Sequence, residues 1–180
     1  MLQITIPSTE YYNEVTNTFE RTKEYVLQLE HSLVSISKWE SKWNKVFLSK
    51  DDKTHEEVID YIKCMTITQN IPDDAYRHLT KNNVDQIEKY ISAPMTATWF
   101  SDEKKAGISR EKTTSELIYY WMIALNIPFE CQKWHLNRLL TLIRVCNVKN
   151  TPPKKMSKSA LMKRNAALNA ARRQQYNTSG

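Results

Sequence analysis

TTSELIYYWMIALNIPFECQKWHLNRLLTLIRVC, residues 113–146, reads as two consecutive apolar helices divided by Asn126-Ile127-Pro128, which points to a mainly helical chain. Thr113-Thr114-Ser115-Glu116 has the S/T-x-x-E spacing in which a hydroxyl and a carboxylate satisfy the unpaired backbone N–H groups of a helix start. Leu117 to Leu125 is then apolar around the whole helical circumference. Such a helix is expected to be buried on most sides, in a domain centre or in an oligomer. Pro128 restarts a helix, on which Phe129, Trp134, Leu136, Leu139, Leu140, Ile143 and Cys146 form a long stripe. Arg138 and Arg144 project from its edge with packed stems. Each large apolar side chain contributes about 1.5–3 kcal/mol when fully buried. The two helices are therefore expected to supply much of the stability, and Trp121→Asp to unfold the domain.

Working outward, the helical period recurs upstream. Ile36, Trp39, Trp43 and Phe47 fall on one helical face, leaving Lys38, Glu40, Lys42 and Lys45 to solvent. Thr54-His55-Glu56-Glu57 repeats the capping pattern ahead of Val58, Ile59, Ile62 and Met65. Pro72-Asp73-Asp74 suits the first turn of a short helix ending near Leu79, and Val84, Ile87, Tyr90 and Ile91 mark another that stops before Pro94. Only the first thirty residues differ. There Leu2, Ile4 and Ile6 alternate with polar residues and Val26-Leu27-Gln28-Leu29 follows after Phe19, which predicts a small hairpin. Residues 101–112, SDEKKAGISREK, read as an exposed loop and the best internal site for proteolytic nicking.

Charge is distributed unevenly. Eight of the 26 Lys and Arg and none of the 20 Asp and Glu lie in residues 149–180, so residues 1–148 carry 18 basic against 20 acidic residues. The body is nearly neutral and the end is strongly cationic. Asn150-Thr151-Pro152-Pro153 ends the helical pattern, which gives a helical domain over 1–148 with an N-terminal hairpin and a basic tail over 149–180. Leu161, Met162, Ala166, Ala167, Leu168, Ala170 and Ala171 are good helix formers with too little apolar area to fold alone, so the tail is expected to be flexible and to become helical when bound. The fold class is mainly α: a compact multi-helix domain, a small N-terminal β-hairpin and a flexible basic C-terminal tail.

Gly107 and Gly180 are the only glycines, which disfavours positive-φ turns, phosphate-cradling loops, barrels and sandwiches. No apolar run approaches a membrane span and the N-terminus has no leader pattern, so a cytoplasmic protein is expected. Cys64, Cys131 and Cys146 are odd in number and widely spaced, and read as reduced.

Chemistry has little to build on. No nucleotide fingerprint, zinc-binding His-Glu pair or nucleophile elbow occurs, and the expectation is a non-enzymatic protein with no cofactor or metal. Cys131 and His135, four apart on the expected helix, share a face as a nucleophile with its base or half a metal site would. Burial in an apolar helix is the blander alternative. His31, His55 and His78 read as surface or capping residues, and Asp51-Asp52 and Asp73-Asp74 as solvated caps. Binding residues are easier to name. Lys154, Lys155, Lys158, Lys163, Arg164, Arg172 and Arg173 form a cluster able to contact phosphates or an acidic protein surface, against the alternative of a solvated extension. Trp99-Phe100 either anchors a partner or packs in the core.

The runs HSLVSISKWESKW (31–43), PMTATWF (94–100) and YYWMIALNIPFECQKWHLNRLLTLIRVCN (119–147), with PPKKMSK and RNAALNAARRQQYNTSG at the end, resemble a family of tailed-bacteriophage proteins, the tail assembly chaperones. These are encoded between the tail tube and tape measure genes, often with a longer form made by ribosomal frameshifting. The resemblance implies a non-catalytic protein of the bacterial host cytoplasm. Its partners would be the tape measure protein and tail tube subunits, with a homo-oligomer possible and nucleic acid secondary. A structural virion protein of the tail or connector is the competing expectation, and a nucleic-acid-binding module acting through the basic tail is another.

Overall fold

Alternation of Leu2, Ile4 and Ile6 with polar residues gives a strand that buries one face, and β1 (Leu2–Ile6) pairs antiparallel with β4 (Tyr25–Leu29), setting Ile4 opposite Leu27. Ile4, Ile6, Leu27 and Leu29 are all buried. Between them a second antiparallel pair, β2 (Glu10–Asn13) and β3 (Thr18–Arg21), makes the predicted hairpin longer than its apolar residues required. The computed structural model describes residues 1–13, 17–100, 112–152 and 157–178. The predicted loop at 101–112, except for Lys112, and Lys154 and Lys155 lie outside the described residues.

The outer edge of β4 is covered rather than bare: the Ile67 N–H donates to the Gln28 carbonyl at 2.8 Å and the Glu30 N–H to the Met65 carbonyl at 2.9 Å. The helices α1 (Leu33–Trp43), α2 (His55–Met65), α3 (Lys81–Ser92), α4 (Ser115–Ala124) and α5 (Leu136–Asn150) follow, with 3-10 turns at Asp73–His78 and Phe129–Lys133. The protein is mainly α. The chain divides into two compact units, Met1–Asn147 and Val148–Gly180. Among its described residues, the first has a hydrophobic cluster to which β1, β4 and α1 to α5 all contribute, including Trp39, Ile62, Ile118, Met122, Leu136 and Leu139. The second contains α6 (Lys158–Tyr176), capped by the Ser157 hydroxyl and with no buried residue. A regular helix thus occupies much of the span expected to be a flexible tail.

Several expectations change in detail. The Phe47 ring reaches the predicted stripe through a turn after α1 has ended at Asn44, packing 4.0 Å from the Tyr61 ring between centroids. Glu40, expected in solvent, is buried: Oε1 accepts from the Phe47 N–H and Oε2 from the Ser115 N–H, each at 2.8 Å. The N-cap of α4 is Thr114 rather than Thr113, because Glu40 from α1 supplies the carboxylate at this helix start. Thr54 and Glu57 do form the predicted reciprocal cap of α2. The predicted helix after Pro128 is interrupted: a 3-10 turn precedes α5, and His135 bridges to Ser32 between them. Trp121 is only half-buried, whereas Ile118 and Met122 are fully buried, so the weight placed on Trp121 belongs to those two.

The scarcity of glycine does not prevent left-handed turns. Asn17, Asn44, Asn70, Asn126 and Asn177 take positive φ, with Met95 beside them. Asparagine tolerates that region through local hydrogen bonding, and Asn44 and Asn177 end α1 and α6 in this way.

Candidate interaction surfaces

Helix α4 has too few packing partners for its apolar residues. Ile118 and Met122, four residues apart, point into the core and are fully buried. Tyr120 and Ile123 fall on the opposite side and are 63% and 61% exposed. The next turn adds Phe129, 52% exposed, whose ring packs against Tyr119 at 6.4 Å between centroids. A hydrogen bond of 2.9 Å from the Tyr119 hydroxyl to Gln132 Oε1 ties α4 to that turn. The expectation that this helix is buried on most sides therefore fails within the chain. Its outer side presents aromatic and branched aliphatic groups to solvent, held by a helix that is fixed at its start by Glu40 and along its inner side by the core. The available signal was the uninterrupted LIYYWMIAL run, since a small body cannot cover a helix on every side.

The Trp99-Phe100 pair divides. Trp99 is 83% exposed, which overturns core packing for that residue, while Phe100 is half-buried with the Arg144 guanidinium 4.1 Å over its ring. Arg138 lies similarly over Trp134 at 4.0 Å, so both arginines at the edge of α5 pack as the sequence predicts. Of the basic residues singled out, Lys158, Lys163, Arg164, Arg172 and Arg173 are all exposed on α6.

Cys131 and His135 do not share a helix. Cys131 sits in the 3-10 turn and His135 beyond its end, and both are buried. The His135 ring is already engaged: Nε2 meets the Tyr90 carbonyl at 3.0 Å and Nδ1 accepts from the Asn137 N–H at 3.3 Å. That pairing places the ring proton on Nε2. His31, expected at the surface, is buried, with Nδ1 2.5 Å from the Tyr61 hydroxyl and its ring centroid 5.0 Å from that of His135. Burial and then the neighbouring His135 push the His31 pKa down to about 4, and burial lowers that of His135 as well. Tyr90 donates to Glu30 at 2.6 Å, and Glu30 also meets the N-terminal amine at 3.0 Å. These groups tie the end of β4 to α2, α3 and the start of α5. Burial likewise raises the pKa of the Cys64 thiol, which favours its protonated form.

A groove of about 670 Å³ lies between α2 and the Asp73–His78 turn, lined by Ile59, Tyr76 and Leu79 together with Glu56, Lys63 and Asp73. No group of three or more metal-binding side chains occurs among the described residues. No helix among them is long and apolar enough to cross a membrane. The fold and these surfaces define a mainly α body with an unfilled helix face, joined to a cationic helix. Against known proteins, the chain matches no family model, no curated protein and no solved structure.

Proposed function

We propose that the chain is a non-catalytic tail assembly chaperone of a tailed bacteriophage, acting in the host cytoplasm on the tape measure protein and tail tube subunits. The observation that carries this reading is the outer side of α4, where Tyr120, Ile123 and Phe129 stand exposed on a helix anchored from within. A long, helix-rich client exposes apolar stripes before assembly, and helices of that kind bind against apolar faces through residues at helical spacing. Aromatic groups on a rigid element make such contact at low entropic cost. Trp99 is a second exposed aromatic anchor, and the cationic tail is an accessory contact that raises avidity. The sequence resemblance supplies the identity of the client.

Coexpression with the tape measure protein tests the proposal. The chain is expected to raise the soluble fraction of that protein and to copurify with it, and Tyr120→Glu with Ile123→Glu to abolish both effects while leaving the fold intact. Recovery of the chain at stoichiometric copy number in mature virions, with no copurification of tape measure or tube protein, would replace this reading with a structural role in the tail or connector.

A further inference from the structure

Helix α6 carries Lys158, Lys163, Arg164, Arg172 and Arg173, has no acidic residue, and buries none of its side chains. Its charges are arranged as well as numerous. Lys163-Arg164 and Arg172-Arg173 are adjacent pairs nine residues apart in the sequence. Nine residues are two and a half helical turns, so the pairs project from opposite sides, about 13.5 Å apart along the axis. Between them run Asn165-Ala166-Ala167-Leu168-Asn169-Ala170-Ala171, a slim stretch dominated by alanine. Asn165 and Asn169, four residues apart, lie on the same side as Arg172-Arg173.

This distribution discriminates between anionic partners. A bilayer or an acidic protein surface meets one side of a helix and favours a helix with its cations gathered there. On α6, half of the paired charge would then face away. A partner with anionic walls on both sides uses all of it. The major groove of duplex DNA is about 12 Å wide, admits a helix of about 10–12 Å diameter and has a phosphate backbone along each wall. The major groove of duplex RNA is too deep and narrow to admit one. Ala166 and Ala170, on a side between the two pairs, let the helix axis approach the floor of the groove.

We infer that α6 is a duplex-DNA-binding element that lies in the major groove, with Lys163-Arg164 on one phosphate strand and Arg172-Arg173 on the other. Tyr120→Glu with Ile123→Glu changes no residue of α6, so it is expected to leave DNA affinity unchanged and the two activities to fail independently.

The test is fluorescence anisotropy of the full chain with a labelled duplex of about 30 base pairs, titrated between about 50 and 200 mM salt. Five phosphate contacts give a slope of log affinity against log salt of about −4.5, which is about a 500-fold loss over that range. Lys163→Gln with Arg164→Gln, and separately Arg172→Gln with Arg173→Gln, are each expected to lower the steepness of that slope by about 1.8. Glutamine preserves helix propensity, and circular dichroism checks that the helix survives. Absence of DNA binding would overturn the inference. So would a slope that responds to one pair only, or competition by polyglutamate, anionic vesicles or duplex RNA as strong as that by unlabelled duplex DNA.

Discussion

Replacing Glu40 with alanine exposes how much of the body depends on one carboxylate. Glu40 is 8% exposed, and its two oxygens accept from the backbone N–H groups of Phe47 and Ser115 at 2.8 Å each. One bond closes the turn after α1, and the other satisfies the first residue of α4, where the helix dipole also favours a negative charge. A hydrogen bond to a charged group contributes about 1.5–3 kcal/mol net, so removing both, with their donors left buried, is expected to cost about 3–6 kcal/mol. Glu40→Gln retains one acceptor but sets an amide N–H2 against a backbone N–H, and should cost about half as much. Urea denaturation of the full chain measures both, with the m-value unchanged. A Glu40→Ala variant within about 0.5 kcal/mol of the parent would refute this reasoning, since that is the behaviour of a surface residue.

Stability is also expected to fall with pH. The unfolded chain protonates His31 near 6.5, whereas the folded chain resists until about 4, so protons favour unfolding between those values. The loss on reaching pH 4 is on the order of 3 kcal/mol, His135 adds in the same direction, and His31→Gln should flatten the profile; a melting temperature insensitive to His31→Gln across that window contradicts the assignment. Met122→Ala should destabilise by about 2–5 kcal/mol while Tyr120→Ala stays within about 0.5, a contrast read from denaturation midpoints. Trp39→Phe leaves the Glu57 carbonyl without its indole donor, a 2.9 Å bond, and should cost about 1–3 kcal/mol by the same assay; no change would mean that water replaces the indole.

Much of the helical body was legible because its signals are local. Thr54 with Glu57, the spacing of Val84, Ile87 and Tyr90, and the alternation of Leu2, Ile4 and Ile6 each act within a few residues. Glu40 was misplaced because its partners lie across the fold: Ser115 is 75 residues away, and no pattern around Glu40 announces it. His31 hides for the same reason, since Tyr61 and His135 come to it only through packing. The outer side of α4 was half legible. Periodicity identified a helix that is apolar all round, yet which side stays bare depends on where the core runs out of partners. The left-handed asparagines are not legible in the same way, because asparagine, unlike glycine, adopts positive φ only where its surroundings require it.

Hydrogen exchange of the full chain, alone and with a tape measure segment, tests the central claim most directly. Slowed exchange concentrated in residues 115–133, and lost in the Tyr120→Glu, Ile123→Glu variant, is the predicted result. Slowed exchange confined to other parts of the chain, with residues 115–133 exchanging as they do when free, would contradict it.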